Sequence, residues 1–490
     1  MNFKSLALKA LYAPILVAVS LSSCKKDNAV TGDNKGDFSK SSSAYVDSRV
    51  APSVTRVLPN VIGGNRTLSR DTTYILNGPT YVTNNSTLTI QSGTFIKGRL
   101  TSTTTTGQPS YLLITKGSNV QAVGTSSQPI VFTSIAAAGA RRPGDWAGVV
   151  ILGNGLTNAG LRPIEGIAPA YVSGFGLPYP STIQYGTNVS EDDAAAASRL
   201  SFVRIEYAGA VLEADNELNG LTLGGVGSAT TLDHIQVSYG ADDAFEFFGG
   251  SVNAKYLIAQ GNNDDDFDFD QGYQGTIQYA VSVKDASTPA PQFSSNPNGI
   301  ESNNVTAPVV TINSRLTSPL LTNLTVLGLN PPRGPLTGTT YGIGVLFRVN
   351  SAGTFANSVV GGFDIGSSLA SAATTTFQGN FGQAFTTAGP AFATSSVSAT
   401  ANASVALRLV NPFNIAFTGS TAVPDFRYAA GLPAAPSASG FNYAGLAIPH
   451  PGGAVTALET PSYRGAFGAA ASTRWDVAPW VSYNSNANAY

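Results

Sequence analysis

At 490 residues with only 11% charged side chains, 52 Gly and 28 Pro, the chain reads as all-β, built from strands and tight turns rather than helices. A formal net charge of -2 gives no extended positive field, which removes nucleic acid as a partner. One cysteine and two histidines, His234 and His450, leave no disulfide and no ordinary zinc ligand set.

The first element is an export signal over residues 1–23. Lys4 and Lys9 precede the apolar run from Ala10 to Leu21, and Ser22 and Ser23 give a small-residue exit before Cys24. The run is shorter than the roughly 20 residues that a spanning helix needs, and Pro14 interrupts it, so an uncleaved membrane anchor is the weaker reading. Leu21-Ser22-Ser23-Cys24 resembles the lipobox of bacterial lipoproteins, which implies acylation of Cys24 and attachment to a membrane through it. Residues 24–53 are polar and Ser-rich and read as a flexible tether, leaving 54–490 as one folded domain. Lys25-Lys26-Asp27 beside the cysteine resembles the surface-export signals of Bacteroidota lipoproteins, and so points to the outer membrane and the cell surface.

Within the domain the clearest internal repeat lies between residues 233 and 272. Asp242-Asp-Ala-Phe-Glu-Phe247 aligns with Asp264-Asp-Asp-Phe-Asp-Phe269 at an offset of 22 residues, and the same offset predicts Ile235 over Leu257 over Tyr279 and Val237 over Ala259 over Val281. That is the length of one coil of a right-handed parallel β-helix, whose copies stack at about 4.8 Å. A leucine-rich repeat has a similar period, but its Leu and Asn pattern is missing. Further alternating segments occupy 80–97, 111–133, 203–207 and 321–326, with excursions expected at 157–198, 286–318 and 367–404. Helices could also hide in the Ala-rich stretch near 367–404, and the C-terminal residues are expected to cap the open end of the coil.

The segments Leu88 to Gly98, Gly144-Asp-Trp-Ala-Gly148, Asp264 to Gly272 and Tyr463-Arg-Gly-Ala-Phe467, with Trp475 and Trp480, resemble a family of Bacteroidota β-helix surface lipoproteins from about residue 54 to the end. The resemblance implies fold and location. It transfers no catalytic residue.

Alternation puts Phe245, Phe247, Phe267 and Phe269 on the core face as stacked pairs, and Glu246, Asp266, Asp268 and Asp270 outside. Stacking Glu246 on Asp268 sets two carboxylates about 5 Å apart, which repel by roughly 3 kcal/mol at an effective dielectric near 20. Asp264, Asp266 and Asp268 are therefore candidate calcium ligands, an oxygen-only set being what calcium takes. The competing reading is a solvated acidic rim. Were the chain a glycan-active enzyme, either Glu246 and Asp268 would serve as a carboxylate pair or Asp264, Asp266 and Asp268 would hold calcium against an acidic sugar; a lyase would also need a base, and the sequence offers no clear Lys or Arg beside the cluster.

The aromatic excursion supplies Tyr171, Phe175, Tyr179 and Tyr185 as candidate sugar-stacking residues, with packing onto the coil as the alternative. His234 reads as structural, and Gly224-Gly-Val-Gly227 as a turn that lacks the lysine of a phosphate loop. The preferred function is non-enzymatic binding of an extracellular polymer, such as a glycan, or service to an outer-membrane transporter. A glycan-active lyase or hydrolase and a structural adhesin are the alternatives.

Overall fold

The computed structural model describes residues 47–187, 197–213, 216–289, 296–304, 315–329, 342–397, 403–417, 423–429, 441–446, 448–449 and 457–490. The export signal, Cys24 and Lys25-Lys26-Asp27 lie outside the described residues. Three parallel columns of strands build the expected parallel β-helix. One column runs from Thr55–Val57 through Phe95–Gly98 and Ile130–Ser134 into the later halves of Arg199–Glu206, Thr231–Ser238, Asn253–Gln260, Thr276–Val283 and Leu320–Leu327. A second stacks Tyr111–Ile114, Gly148–Leu152, Leu221–Gly224, Phe245–Phe248, Phe267–Asp270, Ile300–Ser302 and Ile343–Phe347. The third contains Thr87–Ile90, Asn119–Val123 and the earlier halves of the eight-residue strands.

Because side chains alternate along a strand and each strand is copied one coil later, apolar residues line up down the axis. Ile90, Ala122, Leu200, Leu232, Ala254, Ile277, Leu321 and Phe355 form one such row, all of them buried. Burying a side chain of this size stabilises by about 1.5–3 kcal/mol, so the row works as a continuous spine.

The five eight-residue strands from Arg199–Glu206 to Leu320–Leu327 each bend at one residue with left-handed backbone, where the third column becomes the first. These are Phe202, His234, Tyr256, Tyr279 and Asn323, with φ between 52° and 63°. Such a residue costs about 1–2 kcal/mol when it carries a side chain. The rings offset part of that cost by stacking, at 4.4 Å between Phe202 and His234, 4.5 Å between His234 and Tyr256 and 5.2 Å between Tyr256 and Tyr279. His234 is structural, as expected.

The 22-residue period holds for one step and then slips. Ile235 pairs with Leu257, but Leu257 pairs with Ala280 and Ala259 with Ser282, not with Tyr279 and Val281. The turn 271–275 is one residue longer than the turn 249–252, and the extra residue moves Tyr279 into the bend. The shorter turn needs Gly250, whose φ is +72°; a Cβ there would lie 2.3 Å from the Val226 carbonyl oxygen.

Three other expectations are corrected. Residues 367–404 are not an excursion: the strand Val359–Leu369 runs into them, Asn380–Thr387 and Phe392–Val397 continue the coil, and a short helix, Ala403–Leu407, only begins at their end. Likewise Ile300–Ser302 joins the second column in the middle of the expected 286–318 loop. The tether ends earlier than residue 53, because Asp47 is 1% exposed and bonded to Arg204.

Residues 457–490 do not sit on the end of the coil. They run along its flank, from Arg464 on the Gly379 carbonyl to the Tyr490 ring 5.2 Å from Phe95. Among the described residues no helix is long and apolar enough to cross a membrane.

Candidate functional site

The chemistry concentrates on the outer face of the second column and in the turn that leads into it. Phe245 stacks on Phe267 at 5.1 Å and Phe247 on Phe269 at 5.0 Å inside the coil, so their neighbours Glu246 and Asp268 face outward in register. The register continues to Glu301. Three carboxylates therefore form one column, with Thr222 before them and Leu346 after.

The preceding turn carries a second ladder. The Asn219 Oδ1 accepts the Asp243 N–H at 3.2 Å, the Asp243 Oδ1 that of Asp265 at 2.8 Å, the Asp265 Oδ1 that of Asn298 at 2.6 Å, and the Asn298 Oδ1 that of Ile343 at 2.8 Å. One oxygen of Asp243 and one of Asp265 thus hold the backbone from coil to coil.

Two carboxylate triads result. One oxygen each of Asp242, Asp243 and Asp264 lie within 4.8 Å of one another, and so do one each of Asp243, Glu246 and Asp268, so that Asp243 belongs to both. The expected set of Asp264, Asp266 and Asp268 is not brought together. Asp266 precedes the strand instead of alternating within it; its side chain is fully buried and paired with Lys284 at 3.2 Å and with the Ser282 hydroxyl at 2.6 Å. Asp242 and Asp243 were missed as ligands, although the 22-residue offset carries them onto Asp264 and Asp265.

Compensation is uneven along the column. Glu301 receives Asn298 at 2.9 Å, Asn303 at 2.7 Å and the Arg348 guanidinium. Glu246 receives the Asn219 amide. The Oδ1 of Asp268 is out of contact with solvent and has no hydrogen-bond partner. Burial first, then Glu301 and Asp270, push the Asp268 carboxyl well above the usual carboxylate range; burial, then Glu165 and Asp268, do the same to Glu246. Burial and Asp242 raise Asp243, burial and Asp264 raise Asp242, and burial pushes Asp270 up to about 6. Such groups lie near neutrality only if they keep a proton or gain a cation.

The expectation of no basic neighbour is also corrected. Lys284 and Arg348 come from later coils, and Arg162 approaches Asp270 closely enough to lower its carboxyl. None is adjacent in sequence to Asp264–Asp270, so spacing alone could not place them.

The excursion after residue 157 folds against the same face. Ile164, Ile167, Val172, Ile183 and Tyr185 pack with Tyr81, Tyr111, Val150 and Phe248, and Tyr171 and Phe175 are half-buried against this cluster. Packing therefore accounts for Tyr171, Phe175 and Tyr185, the last donating to the Gln271 Oε1 at 2.7 Å. Tyr179, 41% exposed, is the candidate left open to a ligand. It lines a cavity of about 470 Å³ with Arg162, Glu165, Tyr185 and Gln271, next to the acidic column.

Residues 60–422 match the family described as pectate-lyase like beta helix domain. The chain belongs to that family. The matched residues include the acidic column and the excursion beside it. No curated protein and no solved structure matches the chain.

Proposed function

We propose that this β-helix protein binds an extracellular glycan along the second column, through a divalent cation such as calcium held by Asp242, Asp243, Asp264, Glu246 and Asp268. The supporting observation is that Asp268, whose Oδ1 is buried without a hydrogen-bond partner, belongs to a carboxylate triad with Asp243 and Glu246. Hard oxygen donors without nitrogen or sulfur suit calcium, which takes six to eight oxygens and leaves some of them to a ligand. The adjoining cavity with Tyr179, Arg162 and Glu165 would receive the sugar units, an aromatic ring and charged groups being the usual pairing for polar rings. A lipid at Cys24 would display this face at the outer membrane, where an uptake transporter is a fitting partner.

Calcium titrated into the protein in a calorimeter should give a saturable heat that Asp268→Asn removes. Polysaccharide retention on the protein should then require calcium. No heat with calcium, or retention unchanged in chelator, would sink the proposal.

A second reading, glycan cleavage, is favoured by one observation: Glu246 and Asp268 lie in one triad at a separation open to a retaining carboxylate pair. Turnover of a polysaccharide by the wild-type chain, abolished in Glu246→Gln, would make this the better account.

A further inference from the structure

We propose that residues 457–490 form a longitudinal brace that makes the coil unfold as one cooperative unit. A solenoid ordinarily contacts itself only between neighbouring coils, so its stability is a sum of local terms and its ends can open independently. The flank segment breaks that rule. Its contacts join residues that are 246 apart at Gln236 and Ser482, 344 apart at Arg141 and Ser485, and 441 apart at Asp47 and Asn488.

The grip is built from side-chain amides that successive coils supply from different strand positions. Gln236 donates to the Ser482 carbonyl at 2.9 Å and accepts its N–H at 2.8 Å, and Gln278 does the same with Glu459 at 2.8 and 2.9 Å. Gln260 donates to the Tyr483 carbonyl at 3.0 Å, and Asn357 to that of Tyr463 at 2.9 Å. Because these bonds go to main chain, the coil holds the segment by its backbone.

Rings then wedge the segment in place. Trp480 meets His234 edge-on at 5.4 Å, and Trp475 meets Tyr256 at 5.4 Å, both against the stacked rings of the bend. At the far end the Tyr490 hydroxyl donates to Glu206 at 2.6 Å, while Arg141 holds the Ser485, Asn488 and Tyr490 carbonyls. Coils from Phe95 to Gly379 are spanned by one piece of chain. A break between any two of those coils must strip the brace from one side.

The test is hydrogen exchange on the full chain along a urea series. In the wild type, amides of Phe95–Gly98 and of Leu320–Leu327, both within the braced coils, should open at the same urea concentration. In Trp480→Ala, amides of 475–490 should exchange first, and the two ends should then open at least about 0.5 M apart. Wild-type ends that open separately would overturn the proposal. So would a Trp480→Ala chain whose ends still open together after 475–490 has lost protection, or one in which 475–490 stays protected. Should Trp480→Ala not fold, Trp480→Phe is read by the same criteria.

Discussion

Two flanks of the coil repeat one kind of side chain from rung to rung, with opposite results. Along the bend, Gln236 bonds to Gln260 and Gln278 to Asn323, pairs of amides that can donate and accept at once, and the C-terminal segment uses what remains of their capacity. On the second column Glu246, Asp268 and Glu301 stack carboxylates, which when ionised only accept. These amides satisfy one another and the backbone of that segment. The carboxylate ladder needs protons or cations from elsewhere, and only Glu301 has its guanidinium. A repeated polar residue whose chemistry is self-complementary can thus be satisfied within the fold, whereas stacked carboxylates call for a proton or a cation.

The comparison can be broken first at the wedge. Trp480→Ala, at a residue 1% exposed, should cost about 3–5 kcal/mol, read as a fall in the denaturation midpoint. Next comes a pair of opposite signs. Gln236→Ala should destabilise by about 1–3 kcal/mol, because the Ser482 N–H and carbonyl lose their partner. In chelator at pH 8, Asp268→Asn should instead stabilise by about 1–3 kcal/mol through relief of repulsion. Equal signs in thermal melts of the two variants would remove the distinction between the flanks.

The pH response of the chelated protein sharpens the same point. Burial and neighbouring carboxylates raise Asp242, Asp243, Glu246 and Asp268 in the fold, and burial raises Asp270 to about 6. A carboxyl raised in the folded state contributes stability that is full below its unfolded value near 4 and is lost as pH climbs through the folded value. The melting temperature in chelator should therefore rise as pH is lowered from 8 to 5. Arg49 and Arg204 hold Asp47 below the usual range despite its burial, so its contribution is retained across that window.

The smallest effects separate two of the excursion's tyrosines, Tyr185 and Tyr179. Tyr185→Phe removes the bond to Gln271 and should cost about 1 kcal/mol, whereas Tyr179→Ala should leave the melt unchanged and weaken glycan retention.

Much of this was legible in the sequence where the period was regular. The 22-residue offset placed the Phe245–Phe267 and Phe247–Phe269 stacks and set Glu246 on Asp268, because identical coils bring identical positions together. It failed where turn lengths change. One extra residue at 271–275 displaced Tyr279, and the long connection after Val283 hid Glu301 and Arg348. Asp266 was misplaced because alternation was extended past the strand's first residue, Phe267, into a turn. The flank segment has no repeat and no strand period. Its partners lie hundreds of residues away, which no local pattern encodes.

The most direct test of the acidic column is thermal melting of the wild type and Asp268→Asn, each in calcium and in chelator at pH 8. The account predicts a calcium-dependent rise in the wild type that is absent from Asp268→Asn. No rise in the wild type, or the same rise in both, would contradict it and reduce the column to a solvated acidic rim.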